Sequence, residues 1–217
     1  MSAGVLDALN APAFALFATP LSYAECFGFL TGIVCVWLTA RRNIWNFPVG
    51  IANCALLLLL FFDARLFADA GLQVMFIALG VRGWWQWCRH GERLAPPVTA
   101  ASRADVVNHV IAAVVLTLAL FVLLTVAKGS VPIFDALITA LSLVAQWLLN
   151  RKRLQTWYWW IAVDVISIPV YAYKELYLIA LLYVMFLCLC IVGLVSWRAE
   201  WRRTASSPDV LDAAAPA

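Results

Sequence analysis

The run WYWWIAVDVISIPVYAY, from Trp157 to Tyr173, is apolar and aromatic apart from one acid, Asp164. Trp157, Trp160 and Asp164 stand at i, i+3 and i+7, so on a helix two indole rings and one carboxylate share a stripe. Such a group suits an organic cation, which gains from cation–π attraction and from charge pairing together. The competing use for Asp164 is a protonated carboxyl bonded to a neighbouring carbonyl or asparagine. Inserting a carboxylate at the centre of a membrane span costs at least about 2.5 kcal/mol, which makes it a functional candidate by default. Asn46 and Asn53 lie seven apart in WNFPVGIANC and share a helix face, with Pro48 and Gly50 loosening the helix between them. Gln73 and Tyr183 are further polar groups inside apolar runs. For Asn46 and Gln73 the alternative is interhelical hydrogen bonding, about 0.6 kcal/mol each in a membrane.

Other chemistries find no footing. The six cysteines (Cys26, Cys35, Cys54, Cys88, Cys188 and Cys190) form no CxxC pair and have no histidine at metal spacing, so they read as small packing residues. The two histidines, His90 and His109, fall in or beside a long polar connector. Phosphate-binding, zinc-hydrolase and serine-hydrolase signatures are absent. No cofactor and no metal is expected, and an enzyme would have to work with intramembrane residues alone.

The elements that position these residues follow from composition. Of 217 residues, 65% are hydrophobic and 12% charged, too few polar groups to cover a soluble domain, for which about 25% charged is usual. A spanning helix needs about 20 mostly apolar residues. Seven candidates follow, at roughly Tyr23–Thr39, Ile44–Phe62, Ala68–Trp87, Val106–Val126, Ile133–Leu149, Thr156–Tyr173 and Tyr177–Trp197. The connectors are short, except RHGERLAPPVTAASRAD, which reads as a linker between halves. The first twenty residues lack the positive region of a signal peptide, and the C-terminal SSPDVLDAAAPA reads as a disordered tail.

Basic residues alternate with this count. Arg41, Arg42, Arg89, Arg93, Arg103, Arg151, Lys152, Arg153, Arg198, Arg202 and Arg203 fall on one side, and Arg65, Lys128 and Lys174 on the other. By the positive-inside rule the N-terminus is outside and the C-terminus cytoplasmic. The net charge of +3 is thus a topology signal, spread over four loops, and nucleic acid is excluded as a partner. Most tryptophans fall at the cytoplasmic span ends, as an interfacial belt would. Glu25, Asp63, Asp69, Asp135 and Glu175 fall at outer ends, where they could gather cations.

An offset of 112 lays Arg41 on Arg153, Trp45 on Trp157, Asp63 on Glu175 and Trp85 on Trp197. Three spans, one extra and three more give both triplets the same orientation, as in the parallel repeats of SWEET transporters. The expected architecture is therefore an all-α integral membrane protein of seven transmembrane helices in a 3+1+3 arrangement. It is a single membrane domain over 1–217: a first three-helix repeat at 21–90, a linker and linker helix at 91–128, a second repeat at 130–200, and a disordered tail at 201–217. A substrate site would lie between the triplets near mid-membrane.

WNFPVGIAN, FFDARLFADAGLQVMF, GWWQW and WYWWIAVDVISIPVYAYKELYLIALLYVMFLCL together resemble the PnuC family of bacterial vitamin transporters, over about Ser22 to Trp201. The resemblance implies the 3+1+3 fold, facilitated diffusion of an unphosphorylated vitamin such as nicotinamide riboside, and trapping by a cytoplasmic kinase in the bacterial inner membrane. The positions matching the family's pocket motifs are Asn46, Asn53, Gln73, Trp157, Trp160, Asp164 and Tyr183. Many nicotinamide-riboside members carry Asn at the place of Asp164, and Asn and Tyr near the places of Gly80 and Arg82. Thiamine, a second cation, and riboflavin, which is neutral and gains less from an acid, therefore stay open. Arg82 reads as snorkelling to the interface. The implied partners are a small vitamin and the lipid bilayer, and a homo-oligomer is left open. Rival readings are proton-coupled uptake through Asp164, an intramembrane enzyme, or a sensor; the last span has no lysine for a retinal Schiff base.

Overall fold

The structure is a computed structural model, and it describes residues 11–16, 19–63, 67–89, 97–126 and 132–206. Arg65, His90, Arg93, Lys128, most of the charged part of the connector and the tail from 207 onward lie outside these residues, as do the side chains of Glu25 and Asp69. Among the described residues a short antiparallel hairpin, β1 (Pro12–Leu16) and β2 (Thr19–Ser22), comes first. Seven helices follow: α1 Tyr23–Ala40, α2 Asn46–Asp63, α3 Phe67–Cys88, α4 Arg103–Val126, α5 Pro132–Asn150, α6 Thr156–Tyr173 and α7 Tyr177–Ala205. Helices α2, α4, α5 and α7 are long and apolar enough to cross a membrane, where a helix satisfies its own backbone. α7 runs on to Ala205, so the tail expected from 201 starts as helix, and the hairpin is an addition to the expected all-α chain.

α1, α2 and α3 pack in sequence, as do α5, α6 and α7. The ring closes where α3 meets α5 and α7 meets α1. α4 packs on α5 and turns apolar residues such as Val107, Ile111, Val115 and Val122 outward. α5 is the most buried element, with Ala136, Ala140, Ala145 and Leu148 at 1% exposure or less. At the basic end, Phe47, Trp87, Leu149, Trp157 and Trp197 form one buried cluster with Val98 from the α3–α4 connector. That connector is tied to the α5–α6 turn: Thr99 N–H donates to the Lys152 carbonyl at 3.2 Å, and Leu154 N–H to the Thr99 carbonyl at 2.9 Å.

Local geometry recurs at residues 110 apart. α1 ends with Arg42 at φ 59, its N–H on the Thr39 carbonyl and that of Asn43 on Leu38. α5 ends identically, with Lys152 at φ 53, its N–H on Leu149 and that of Arg153 on Leu148. A left-handed residue of this kind satisfies the last helical carbonyls. Phe47 meets Trp87 edge-on at 5.0 Å, and Trp157 meets Trp197 edge-on at 5.4 Å. A Cβ on Gly83 would overlap Phe47 and Asn150, and one on Gly193 would overlap Trp157. Each tryptophan also reaches across a seam: Trp87 Nε1 donates to the Asn150 carbonyl at 3.1 Å, and Trp197 Nε1 to the Thr39 carbonyl at 3.2 Å. The structural correspondence is thus 110, which corrects the offset of 112; Trp157 answers to Phe47, and the shared identity of Trp45 and Trp157 misleads.

Candidate substrate site

A cavity of about 300 Å³ lies between α1–α3 and α5–α7, at the lower bound of ordinary ligand pockets. α4 lends it no residue. Asn46, Asn53, Gln73, Trp157, Trp160, Asp164 and Tyr183 all line it. The structure therefore brings together every residue singled out from sequence, three from the first triplet and four from the second.

Their states differ. Asp164 is 2% exposed, and its Oδ2 has no hydrogen-bond partner. Among the described residues no asparagine or carbonyl bonds it; its polar neighbour is the thiol of Cys190 on α7. The bonded, neutral carboxyl weighed above thus lacks its partner. Trp157 is 1% exposed, and its Nε1, a donor only, is also unbonded. An acceptor and a donor are left open at opposite ends of one stripe, about 10 Å apart along the helix axis. Trp160, half-buried, stands between them against both apolar clusters. Buried polar groups are normally satisfied, so two orphans beside one cavity mark where a ligand's polar groups belong.

The amides are partly engaged. Asn53 Nδ2 donates to the Gly28 carbonyl at 2.9 Å and to Thr31 Oγ1 at 2.6 Å, joining α2 to α1. Asn46 Nδ2 donates to the Asn43 carbonyl at 2.7 Å and holds its own turn. Both keep a carbonyl oxygen for a ligand donor. Gln73 is buried on α3. Tyr183 stacks on Tyr171 at 5.2 Å and meets Phe186 edge-on at 5.9 Å, walling the cavity away from the basic end.

Sequence reasoning missed several lining residues. Cys35, Cys54 and Cys190 were read as packing, yet all three line the cavity, and Cys54 occupies the place 110 before Asp164. Gln146 also lines it and donates to Asn150 Oδ1 at 3.2 Å, while Asn150 Nδ2 donates to the Leu79 carbonyl at 2.8 Å across the α3–α5 seam. The i, i+4 spacing of Gln146 and Asn150 was the available signal. Asp135, one of the outer acids that could gather cations, pairs with Lys174 at 2.9 Å.

The nicotinamide mononucleotide transporter family matches residues 22–199 of the chain. The nicotinamide riboside transporter PnuC of Escherichia coli (strain K12) is 28% identical over 213 residues, covering 86% of this chain and 89% of that one. The riboflavin/roseoflavin transporter RibM of Streptomyces davaonensis is 30% identical over 201 residues, covering 90% and 93%. A crystal structure of the vitamin B3 transporter PnuC shares the fold, with a TM-score of 0.69 at 24% identity over 83% of each chain.

Proposed function

The chain belongs to the nicotinamide mononucleotide transporter family, the PnuC family of multi-pass membrane vitamin transporters, and from that premise we propose that it carries nicotinamide riboside by facilitated diffusion. The observation that carries the reading is the Asp164 carboxyl, its Oδ2 without a partner, buried beside Trp157 and Trp160 on a cavity between the triplets. A pyridinium ring stacks on the indoles, and Asp164 balances its charge. Ribose hydroxyls and the carboxamide bond Asn46, Asn53, Gln73 and the Trp157 N–H. Tyr183 closes the far wall.

The fold reading is seven spans in a 3+1+3 arrangement of two parallel repeats, like SWEET. The recurrence at 110 and the peripheral place of α4 support it. The N-terminus outside and C-terminus inside, in the bacterial inner membrane, follow from the basic loops. The aromatic cluster at the basic end closes the cavity toward the cytoplasm, and rocking of the triplets opens it. A cytoplasmic kinase then traps the vitamin. Among the described residues no second carboxylate lines the cavity, which supports uncoupled transport over a proton-coupled route.

Riboflavin is the second reading, favoured by the likeness to a riboflavin/roseoflavin transporter. Its three fused rings are a tighter fit to a cavity of about 300 Å³, and it brings no charge for Asp164. Calorimetric titration of the purified protein with nicotinamide riboside, thiamine and riboflavin separates them. Tightest binding of nicotinamide riboside is expected; tightest binding of riboflavin would sink the assignment.

A further inference from the structure

The α3–α5 seam carries a charge arrangement that vitamin transport leaves unused. Arg82 of α3 and Arg151 after α5 both lie over the indole of Trp147, at 4.5 and 4.6 Å from its centroid. The two guanidinium carbons are therefore within about 9 Å of each other. Both side chains are exposed, and among the described residues neither pairs with a carboxylate. Arg82 lies five residues inside Trp87, about 7.5 Å deeper along the helix, where an uncompensated charge is costly.

The other seam supplies an internal comparison. Arg41 lies over Trp37 at 5.1 Å, and these residues stand 110 before Arg151 and Trp147. An Arg–Trp pair thus belongs to both seams. The place on α7 matching Arg82 is Val192, 58% exposed. Arg82 is the added charge, so the shared architecture does not require it.

The seam itself is rigid. Asn150 bonds the Leu79 carbonyl and accepts Trp87 Nε1 on its own carbonyl, and Gly83 lets the two helices close on each other. Arg82 and Arg151 are held on one fixed interface, flanked by the exposed Trp84 and Trp85 of the aromatic belt. Two planar forks on one indole, no more than about 9 Å apart, are close enough for one phosphodiester to meet both, and guanidinium binds phosphate bidentately.

We propose that Arg82, Arg151 and Trp147 form a binding site for the phosphate of an anionic phospholipid on the basic side of the membrane. Lipid is the source because the groups sit on the outer surface of a helix seam and not in the cavity. The assignment is independent of which vitamin is carried.

The test mixes the purified full-length protein, in neutral detergent, with phosphatidylglycerol or phosphatidylcholine and counts retained lipid by native mass spectrometry. Phosphatidylglycerol is expected to be retained at least about fivefold better, and Arg82→Val or Arg151→Gln to lower that retention about fivefold each. Arg82→Gln, run beside Arg82→Val, is expected to agree with it. Arg41→Gln, the matching change in the other seam, is expected to leave retention unchanged. Retention that survives Arg82→Val, or that falls equally in Arg41→Gln, would overturn the site. Displacement of the lipid by excess inorganic phosphate would make it a free-anion site and overturn the lipid assignment.

Discussion

Gly193 of α7 is the socket for Trp157 of α6: a Cβ on the glycine would overlap the six-membered ring of the indole. The backbone approach therefore fixes the ring that floors the cavity. Gly193→Ala must push Trp157 off its rotamer or part the helices, at about 1–3 kcal/mol. The expected result is vitamin affinity lowered at least about tenfold, with a lower melting temperature. Gly71→Ala on α3 is the control, since a Cβ there meets nothing within 4 Å, and both measurements should match wild type. Equal behaviour of the two variants would mean that Trp157 is not held by this contact.

Asp164→Asn keeps the shape of the side chain and removes its charge. A charge-assisted bond to a cation contributes about 1.5–3 kcal/mol, so nicotinamide riboside and thiamine should each bind about 10- to 100-fold more weakly. Riboflavin, which is neutral, should change by less than about threefold. Calorimetry on both proteins reads the difference. Unchanged affinity for both cations would show Asp164 to be a local structural acid.

Trp197→Phe removes one N–H and keeps a ring against Trp157. The Thr39 carbonyl, on a residue 5% exposed, then loses its donor across the α1–α7 seam. That carbonyl keeps the Arg42 N–H, so the loss of one bond of two costs about 0.5–1.5 kcal/mol. Trp87→Phe takes the indole donor from the Asn150 carbonyl across the α3–α5 seam, and an orphaned buried acceptor costs about 1–3 kcal/mol. Thermal melts in detergent should show a drop for both, larger for Trp87→Phe, because the Thr39 carbonyl retains a second donor. An unchanged melt for Trp87→Phe would mean that its bond does not hold the α3–α5 seam.

The helices and the lining polar residues were legible because a polar group within an apolar run is conspicuous and helical spacing then assigns its face. All seven chosen residues reach one cavity for that reason. The register of the two halves was not legible. Phe47 and Trp157 share a place but not an identity, and Trp45, which does share it, is 64% exposed. Nor could the glycine sockets be seen, since Gly83 and Gly193 act on residues of other helices. Cys190 reads as packing until the fold sets α7 beside α6 and its thiol beside Asp164. Pairings between helices distant in sequence leave no periodic trace.

Lys152 carries the last prediction. It lies in the α5–α6 turn, 3% exposed, with Nζ 4.8 Å from the Trp87 ring centroid. Burial, reinforced by the Arg42 charge and opposed by Glu200, pulls its ammonium from the ordinary 10.5 down to about 8. A folded pKa below the unfolded one means that the unfolded state binds more protons between the two values. Stability therefore rises with pH across the window from about 8 to 10.5, and the full cost of the buried charge is present below it. Lys152→Gln removes that titration while keeping a long polar side chain. Its melting temperature should exceed that of wild type at neutral pH, and the gap should close as pH rises through the window. Melting curves in detergent at matched ionic strength measure it, and a gap independent of pH would place the ammonium in water.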